Sequence, residues 1–564
     1  MSQHKQKEQE QEALVLEALI IGAGPAGLIA AYHLKETCRF GPPPKYSSDS
    51  RGDTSSNRND NYKSKNKYSR GRMVILEETS APGGLWNRDP INREKIPCYC
   101  VDDSSIENDN DAKKSNHVDS TSGNKTRIAV ETSSQPLYEN LSVNFPKDLM
   151  SFCNAPFSSK IPSFPYAETI TSYYRDYVNK VGFEKEGYIQ YNSRVTECFQ
   201  NNNDHDNGNY WTVKTNKGDI YRTKRVLVCT GHYRKAFAPS IVGIRHFINS
   251  NSGNNNNDDD GKERENQRRI IHSSAFGSVH RFVGRRVLII GGGISGSDIA
   301  HHLGRDGKCQ RIVVSVRNKR IKEKMLLSRS IKLGGVRVRP GVKNIDEDGN
   351  VHFVPGNTQN GFDKDNNNTA ASECIYNKEQ FDDIIVATGY RYWYPFLTSE
   401  LRAQIMSNDA GYKLQQLYLR MIYVHAPSLV FFGITNVNLP ASIAIEYQTC
   451  LYAQLVQKGE DTKLCPEMMR KEVASRYDDT SQDDLGPGKF PAYIGSLARV
   501  MSSLSSGRQQ PKIDGYWMHL LKYRLPLLCT SLWVQRQYSV LGYMMLVPGM
   551  LLAILASFVY ALYH

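Results

Sequence analysis

The chain of 564 residues is long enough for two to four domains at roughly 150 residues each, which excludes a peptide ligand or a lone small module. Lys and Arg (71) outnumber Asp and Glu (58) by 13, while only 39% of residues are hydrophobic, too few for one continuous core. The 11 cysteines form no regular framework and no C-x-x-C pair, which argues against a disulfide scaffold, for a reducing compartment, and for thiols that mostly pack.

The first 13 residues are rich in Gln, Lys and Glu, and the apolar run that follows, 14–21, leads directly into glycines; it reads as a strand, not a secretory signal. After the strand Ala18-Leu19-Ile20-Ile21 comes Gly22-Ala23-Gly24-Pro25-Ala26-Gly27, then helical spacing over 28–35. In this strand, G-x-G-x-x-G, helix unit, Gly22 permits the tight turn, Gly24 admits a pyrophosphate to the backbone, and Gly27 lets helix and strand approach. The next strand, 73–76, ends in Glu77, where an acid receives ribose hydroxyls. Removing a low-complexity stretch at about 41–72 restores the spacing near 20 residues that such a unit requires. Similar Asn-, Ser-, Asp-, Gly- and Lys-rich stretches lie at about 101–134, 200–209, 249–268 and 355–378; all five read as disordered surface loops without activity.

The same pattern returns in the strand 287–290, then Gly291, Gly293 and Gly296 with Ser295 between them, and a helix over 297–303. Its following strand, 311–316, ends in Arg317, with Lys319 and Arg320 beyond, a cation where an NADP 2′-phosphate would sit. From 281 to 343 there are 16 Lys and Arg against Asp298, Asp306 and Glu323, which points to an anionic small ligand; no nucleic-acid motif accompanies the charge. Two such loops imply two dinucleotides, and hydride transfer between a nicotinamide and a flavin is the simplest chemistry that needs both. The stretch 465–536 reads as a connector. Residues 538–563 carry no charged side chain and suffice for a membrane span, with Arg524 and Arg536 marking the cytosolic side; a buried or surface-lying helix containing Pro548-Gly549 is the alternative.

Further segments carry a resemblance. Pro82-Gly83-Gly84-Leu85-Trp86, residues 138–150 (YENLSVNFPKDLM), Pro162-Ser163-Phe164-Pro165, 226–231 (VLVCTG), 383–390 (DIIVATGY) and Glu446-Tyr447-Gln448 occur in that order. With the two glycine loops they make the chain resemble the flavin-containing monooxygenases, single-chain class B enzymes using FAD and NADPH. The chain departs from the family's F-x-G-x-x-x-H-x-x-x-(F/Y) fingerprint: after Phe247, Asn249 replaces the glycine, and an insert precedes His272 and Phe276. Phe276 stands where Baeyer–Villiger relatives favour Trp, which leans toward heteroatom oxygenation.

The resemblance implies an α/β fold with two Rossmann-like dinucleotide-binding domains, plus a C-terminal hydrophobic helix. An FAD domain (14–231 and 385–510) would hold an inserted NADP domain (232–384), and 511–564 would be connector and membrane anchor. FAD would meet Gly22, Gly24, Pro25, Ala26, Gly27, Glu77, Gly84, Leu85, Trp86, Thr230 and Gln448. NADPH would meet Gly291, Gly293, Ser295, Gly296, Arg317, Thr388, Gly389 and Tyr390. Asn144 would hydrogen-bond near the flavin–oxygen adduct, and no metal is read. NADPH would reduce the flavin, O2 would add to its C4a carbon, and a sulfide, thiol or amine would take the distal oxygen of the hydroperoxyflavin. An NADPH oxidase releasing peroxide, a Baeyer–Villiger enzyme, a disulfide reductase and a non-enzymatic sensor are the alternatives. The tail and the resemblance place the chain at a membrane, the endoplasmic reticulum, with its catalytic part in the cytosol; a cytoplasmic protein is the alternative.

Overall fold

Two sheets, each with a glycine loop on a central strand, organise the computed structural model. It describes residues 15–43, 71–87, 96–102, 126–134, 136–201, 210–249, 267–317, 335–355, 378–407, 411, 413–434, 441–475 and 490–504. The chain divides into a unit Met1–Gly486 and a second, Pro487–His564, whose described part is the helix Phe490–Leu504.

In the first sheet the strands run in the order Leu417–Tyr418, Ile422–Tyr423, Leu429–Phe431, Val226–Val228, Ala18–Ile21, Met73–Leu76, Ile189–Gln190. The last five pair in parallel, whereas the first two add on antiparallel. Val, Ile and Leu fill the central strands, which are buried along their length as strands covered on both faces must be. The chain leaves Ala18–Ile21 toward Met73–Leu76 on one side and returns on the other at Val226–Val228. The order therefore switches beside the first glycine loop. The second sheet is parallel throughout, in the order Arg269–His272, Asp383–Val386, Arg286–Ile290, Arg311–Ser315, Arg337–Arg339. A mixed α/β fold results. An antiparallel meander of Val195–Asn201, Tyr210–Thr215 and Ile220–Thr223, joined by Val15–Leu16, adds a layer the sequence reading did not anticipate. Trp211 anchors that meander, fully buried, its Nε1 donating to Ser428 Oγ at 2.9 Å.

The interiors of the inserts (44–70, 103–125, 202–209, 250–266, 356–377) lie outside the described residues, but several of their ends are fixed. Gly41 N–H donates to Gly71 O at 2.9 Å and Met73 N–H to Gly41 O at 2.8 Å, so the chain re-enters the sheet where it left. Asn201 pairs with Tyr210, and Asp102 N–H donates to Thr126 O. One boundary needs correction: of the supposed loop 101–134, Arg127–Val130 is a strand paired with Cys98–Val101, with Val130 in the core. The connector is likewise partly helical, Pro466–Ser475 burying Met469 and Val473. The apolar run 538–563, with Arg524 and Arg536, lies outside the described residues; among those described, no helix is long and apolar enough to cross a membrane.

The helix Ala441–Lys458 is buried from Ile443 to Ala453 and again at Leu455 and Val456, as an interior helix must be. It packs against Pro25–His33. Within it Glu446 is 2% exposed, its carboxylate accepting the Cys153 N–H at 3.2 and 3.3 Å. Burial raises its pKa to about 7, against two opposing hydrogen bonds from Cys153. The folded state therefore holds this proton more tightly than the unfolded chain, so stability is greatest below the ordinary carboxyl pKa and declines as pH rises toward 7. Glu446→Gln, which keeps an acceptor for Cys153, should match wild type near pH 4.5 and exceed it above pH 7 by at most about 3 kcal/mol. Parallel Tm-versus-pH profiles of the two proteins would refute this.

Candidate functional site

At the first loop, Gly22 takes φ +103°, and a Cβ there would lie 2.8 Å from Cys229 O; at Gly27 a Cβ would lie 1.9 Å from Gly22 O. Only glycine permits these approaches. Pro25 and Ala26 open the helix Pro25–His33, whose N-cap is Gly24 and whose N-terminus no side chain caps. Its first-turn N–H groups have no partner within the helix, which suits them to phosphate oxygens. Gly84 closes over the loop: a Cβ on it would stand 2.9 Å from Gly24 Cα, and Gly83 N–H donates to Ala23 O. Gly84, Leu85 and Trp86 form one helical turn, held where Thr171 Oγ1 donates to Trp86 O.

Glu77 is 3% exposed and braces the glycine loop. Its Oε2 accepts the Ala23 N–H at 2.7 Å, and its Oε1 accepts the Thr79 N–H at 3.0 Å and hydroxyl at 2.7 Å. Burial pushes its pKa up and these hydrogen bonds oppose that shift. Asn87, buried, donates to Thr79 Oγ1 and Ala81 O, both at 3.0 Å. The sequence reading missed Thr79 and Asn87; their closeness to Glu77 was the available signal. Thr230 lies exposed just beyond Val226–Val228, and Gln448 is fully buried in Ala441–Lys458.

The second loop repeats the geometry. Gly291 has φ +111°, and a Cβ on Gly296 would lie 1.9 Å from Gly291 O. Gly293 caps the helix Ile294–Asp306, again without a side-chain cap, and a Cβ added to it would meet nothing within 4 Å. Ser295 is exposed in the first turn. Arg317 is exposed at the end of the adjoining strand, its Cγ beside Gly341, whereas Lys319 and Arg320 lie outside the described residues. Among the described residues, five of the sixteen cations of 281–343 are paired with carboxylates outside that stretch: Arg281 with Glu131, Arg285 with Asp383, Arg286 with Asp382, and Arg311 and Arg339 with Glu379.

Between the two sheets run two segments, Lys235–Ala236 and Tyr390–Arg391, paired antiparallel. Thr388 Oγ1 donates to Phe237 O at 2.6 Å and Phe237 N–H to Gly389 O at 3.0 Å. His272, fully buried, fixes this turn. The Ser274 N–H donates to its Nδ1 at 3.1 Å, so the proton sits on Nε2, which donates to Gly389 O at 3.1 Å. Burial lowers its pKa to about 4, keeping the ring neutral. Tyr390 stacks edge-on to it, and Phe276 stacks on Phe282 at 5.4 Å. Despite Asn249 and the insert, His272 and Phe276 thus occupy ordered, buried positions, and Phe247 is buried in the helix Ile244–Asn249. Asn144 is half-buried, in a segment held by Val143 N–H to Pro165 O and Lys147 N–H to Ser163 O.

Two glycines of the second loop separate packing from binding. Gly296→Ala should lower Tm, because its Cβ must displace the Gly291 carbonyl; Gly293→Ala should leave Tm unchanged yet weaken NADP+ binding at least tenfold by filling the space over the helix N-terminus. Equal effects of both on Tm would contradict this assignment.

The family model "Flavin-binding monooxygenase-like" matches residues 124–336. A flavin-containing monooxygenase of Arabidopsis thaliana (GS-OX-like 9) is 24% identical over 468 residues, covering 81% of this chain and 79% of its own. Senecionine N-oxygenase of Tyria jacobaeae is 26% identical, covering 64% of this chain and 61% of its own. The structure of S-allyl-L-cysteine S-oxygenase from Allium sativum shares the fold, with a TM-score of 0.59 at 20% identity over 92% of this chain and 94% of that one. In sequence and in fold the chain is thus similar to the flavin-containing monooxygenases, oxidoreductases that use FAD and NADPH.

Proposed function

We propose that this protein uses NADPH and O2 to place one oxygen atom on a soft nucleophile, a sulfide, thiol or amine. The observation that carries the reading is the pair of glycine cradles in one unit, linked by a ribbon whose turn His272 holds. Residues 14–231 and 385–510 serve FAD and 232–384 serve NADPH. On the flavin side Gly22, Gly24, Pro25, Ala26 and Gly27 hold the pyrophosphate, Glu77 the ribose, and Gly84, Leu85, Trp86, Thr230 and Gln448 line the cofactor. On the nicotinamide side Gly291, Gly293, Ser295 and Gly296 hold the pyrophosphate, Arg317 the 2′-phosphate, and Thr388, Gly389 and Tyr390 the nicotinamide end.

Bound FAD, reduced by NADPH, supplies the activation of dioxygen. The protein's part is placement and water exclusion. Neutral His272 adds no charge beside the Gly389 turn, and Asn144 offers an amide from a braced segment. The names of the relatives, an S-oxygenase and an N-oxygenase, support a heteroatom acceptor, and Phe276 in place of Trp supports it over a Baeyer–Villiger reaction. Membrane attachment through 538–563 is supported by composition alone and is no part of the proposal.

Mixing NADPH-reduced protein with oxygenated buffer tests the reading. Flavin absorbance should return in two resolved phases, the second accelerated by a simple thioether, with sulfoxide formed. A single phase with stoichiometric peroxide would identify an NADPH oxidase instead. Arg317→Ala should raise the KM for NADPH at least tenfold and leave that for NADH within about twofold, since each ionic contact to the phosphate is worth on the order of 1.5–3 kcal/mol. Equal changes for both nucleotides would remove Arg317 from the 2′-phosphate site.

A further inference from the structure

His232 was not among the residues singled out in the sequence, yet it stands at the switch point of the first sheet. It follows Val226–Val228 by four residues, past Cys229, whose carbonyl lies against Gly22, and past Gly231, which turns the chain at φ +68°. Its Nδ1 lies 3.1 Å from Gly433 O. Gly433 follows the neighbouring strand Leu429–Phe431, and a Cβ on it would touch the Ala26 side chain at 3.1 Å. The imidazole thus bridges the carboxyl ends of two parallel strands beside a third that carries the glycine loop. In open α/β sheets this crevice is where a dinucleotide lies.

The hydrogen bond settles the tautomer. A carbonyl oxygen only accepts, so Nδ1 carries the proton and Nε2 presents a lone pair. That Nε2 is buried and has no hydrogen-bond partner among the described residues. Burial lowers the pKa of the ring, which keeps Nε2 an acceptor at neutral pH. Tyr233 lies against one side, ring centroids 4.2 Å apart, and Tyr392 at 6.0 Å; Tyr392 is itself tied down by its hydroxyl donating to Ile434 O at 2.8 Å. A fixed, neutral, buried acceptor calls for a donor that the described protein groups do not supply. Phosphate and carboxylate oxygens cannot fill that role, whereas the hydroxyls of a ribityl chain and the N–H of a flavin ring can.

We infer that His232 is a cofactor-binding residue whose Nε2 accepts a hydrogen bond from an O–H or N–H of the FAD held at the first glycine loop. The inference rests on the functional reading above and adds a contact to it. Three variants separate this contact from a structural role. His232→Asn retains a donor for Gly433 O but has no atom at the Nε2 position. His232→Gln keeps an acceptor near that position, and His232→Phe keeps the ring and neither nitrogen.

FAD affinity of the apoprotein, read by fluorescence quenching on titration, should fall at least tenfold in the Asn and Phe variants, with a shifted visible spectrum of the bound flavin. It should stay within threefold in the Gln variant. NADP+ affinity, titrated separately, should not change in any of them. Wild-type FAD affinity and spectrum in the Asn variant, with loss only in the Gln and Phe variants, would reduce His232 to a brace for Gly433 and overturn the inference. A fall in NADP+ affinity with FAD binding intact would overturn it too, by assigning the acceptor to the other cofactor. Failure of the wild-type apoprotein to take up FAD would overturn the functional reading itself, a result distinct from either.

Discussion

The closeness of a helix to the strand before it, permitted by one glycine in each half, governs this structure. At Gly27 and at Gly296 alike, a Cβ would stand 1.9 Å from the carbonyl of the loop's first glycine. Any other side chain would push the helix off its sheet. The helix N-terminus would then no longer sit over the strand's end, and the cradle for a phosphate would open. The first glycine of each loop is tied in the same way to the next strand over, Gly22 to Cys229 and Gly291 to Ala387. Helix, loop and two strands are therefore positioned together, and Thr230 and Thr388, which follow those strands, are brought to the loops by the same contact.

Around these cradles, buried charge is used to fix backbone. Glu77 holds an amide of the glycine loop and both donors of Thr79. Asp383, fully buried, draws Arg269 and Arg285 onto the start of its strand. Arg225 joins Asp461 and Glu17 beneath the first sheet. An unpaired buried carboxylate would be costly, so each is compatible with the fold only because its partners converge from distant segments.

Three of the low-complexity stretches are compatible with such close packing because their ends are already together. Gly41 and Gly71 are hydrogen-bonded, Asn201 and Tyr210 are paired, and Asp102 meets Thr126. Lengthening a loop between ends that the sheet itself holds costs little additional entropy, growing only slowly with length. The same reasoning explains why removing the stretch before Met73 recovers the ordinary spacing between a glycine loop and its acidic residue.

The glycine loops, their flanking strands and Glu77 were legible in the sequence because each depends on local rules: apolar runs, backbone freedom at glycine, and the distance to the next strand. The A-T-G-Y segment and Phe276 were legible through resemblance. Tertiary structure alone decided what depends on segments far apart in the chain. The Glu446 carboxylate meets Cys153 across 293 residues and His272 meets Gly389 across 117. Neither the pKa of the first nor the tautomer of the second is written in the neighbouring residues. The antiparallel meander around Trp211 and the strand Arg127–Val130 were hidden for a related reason, their polar alternation being stabilised by partners rather than by propensity. His232 is the sharpest case: a lone histidine in sequence, it becomes a directed acceptor because folding sets one nitrogen against Gly433 and buries the other.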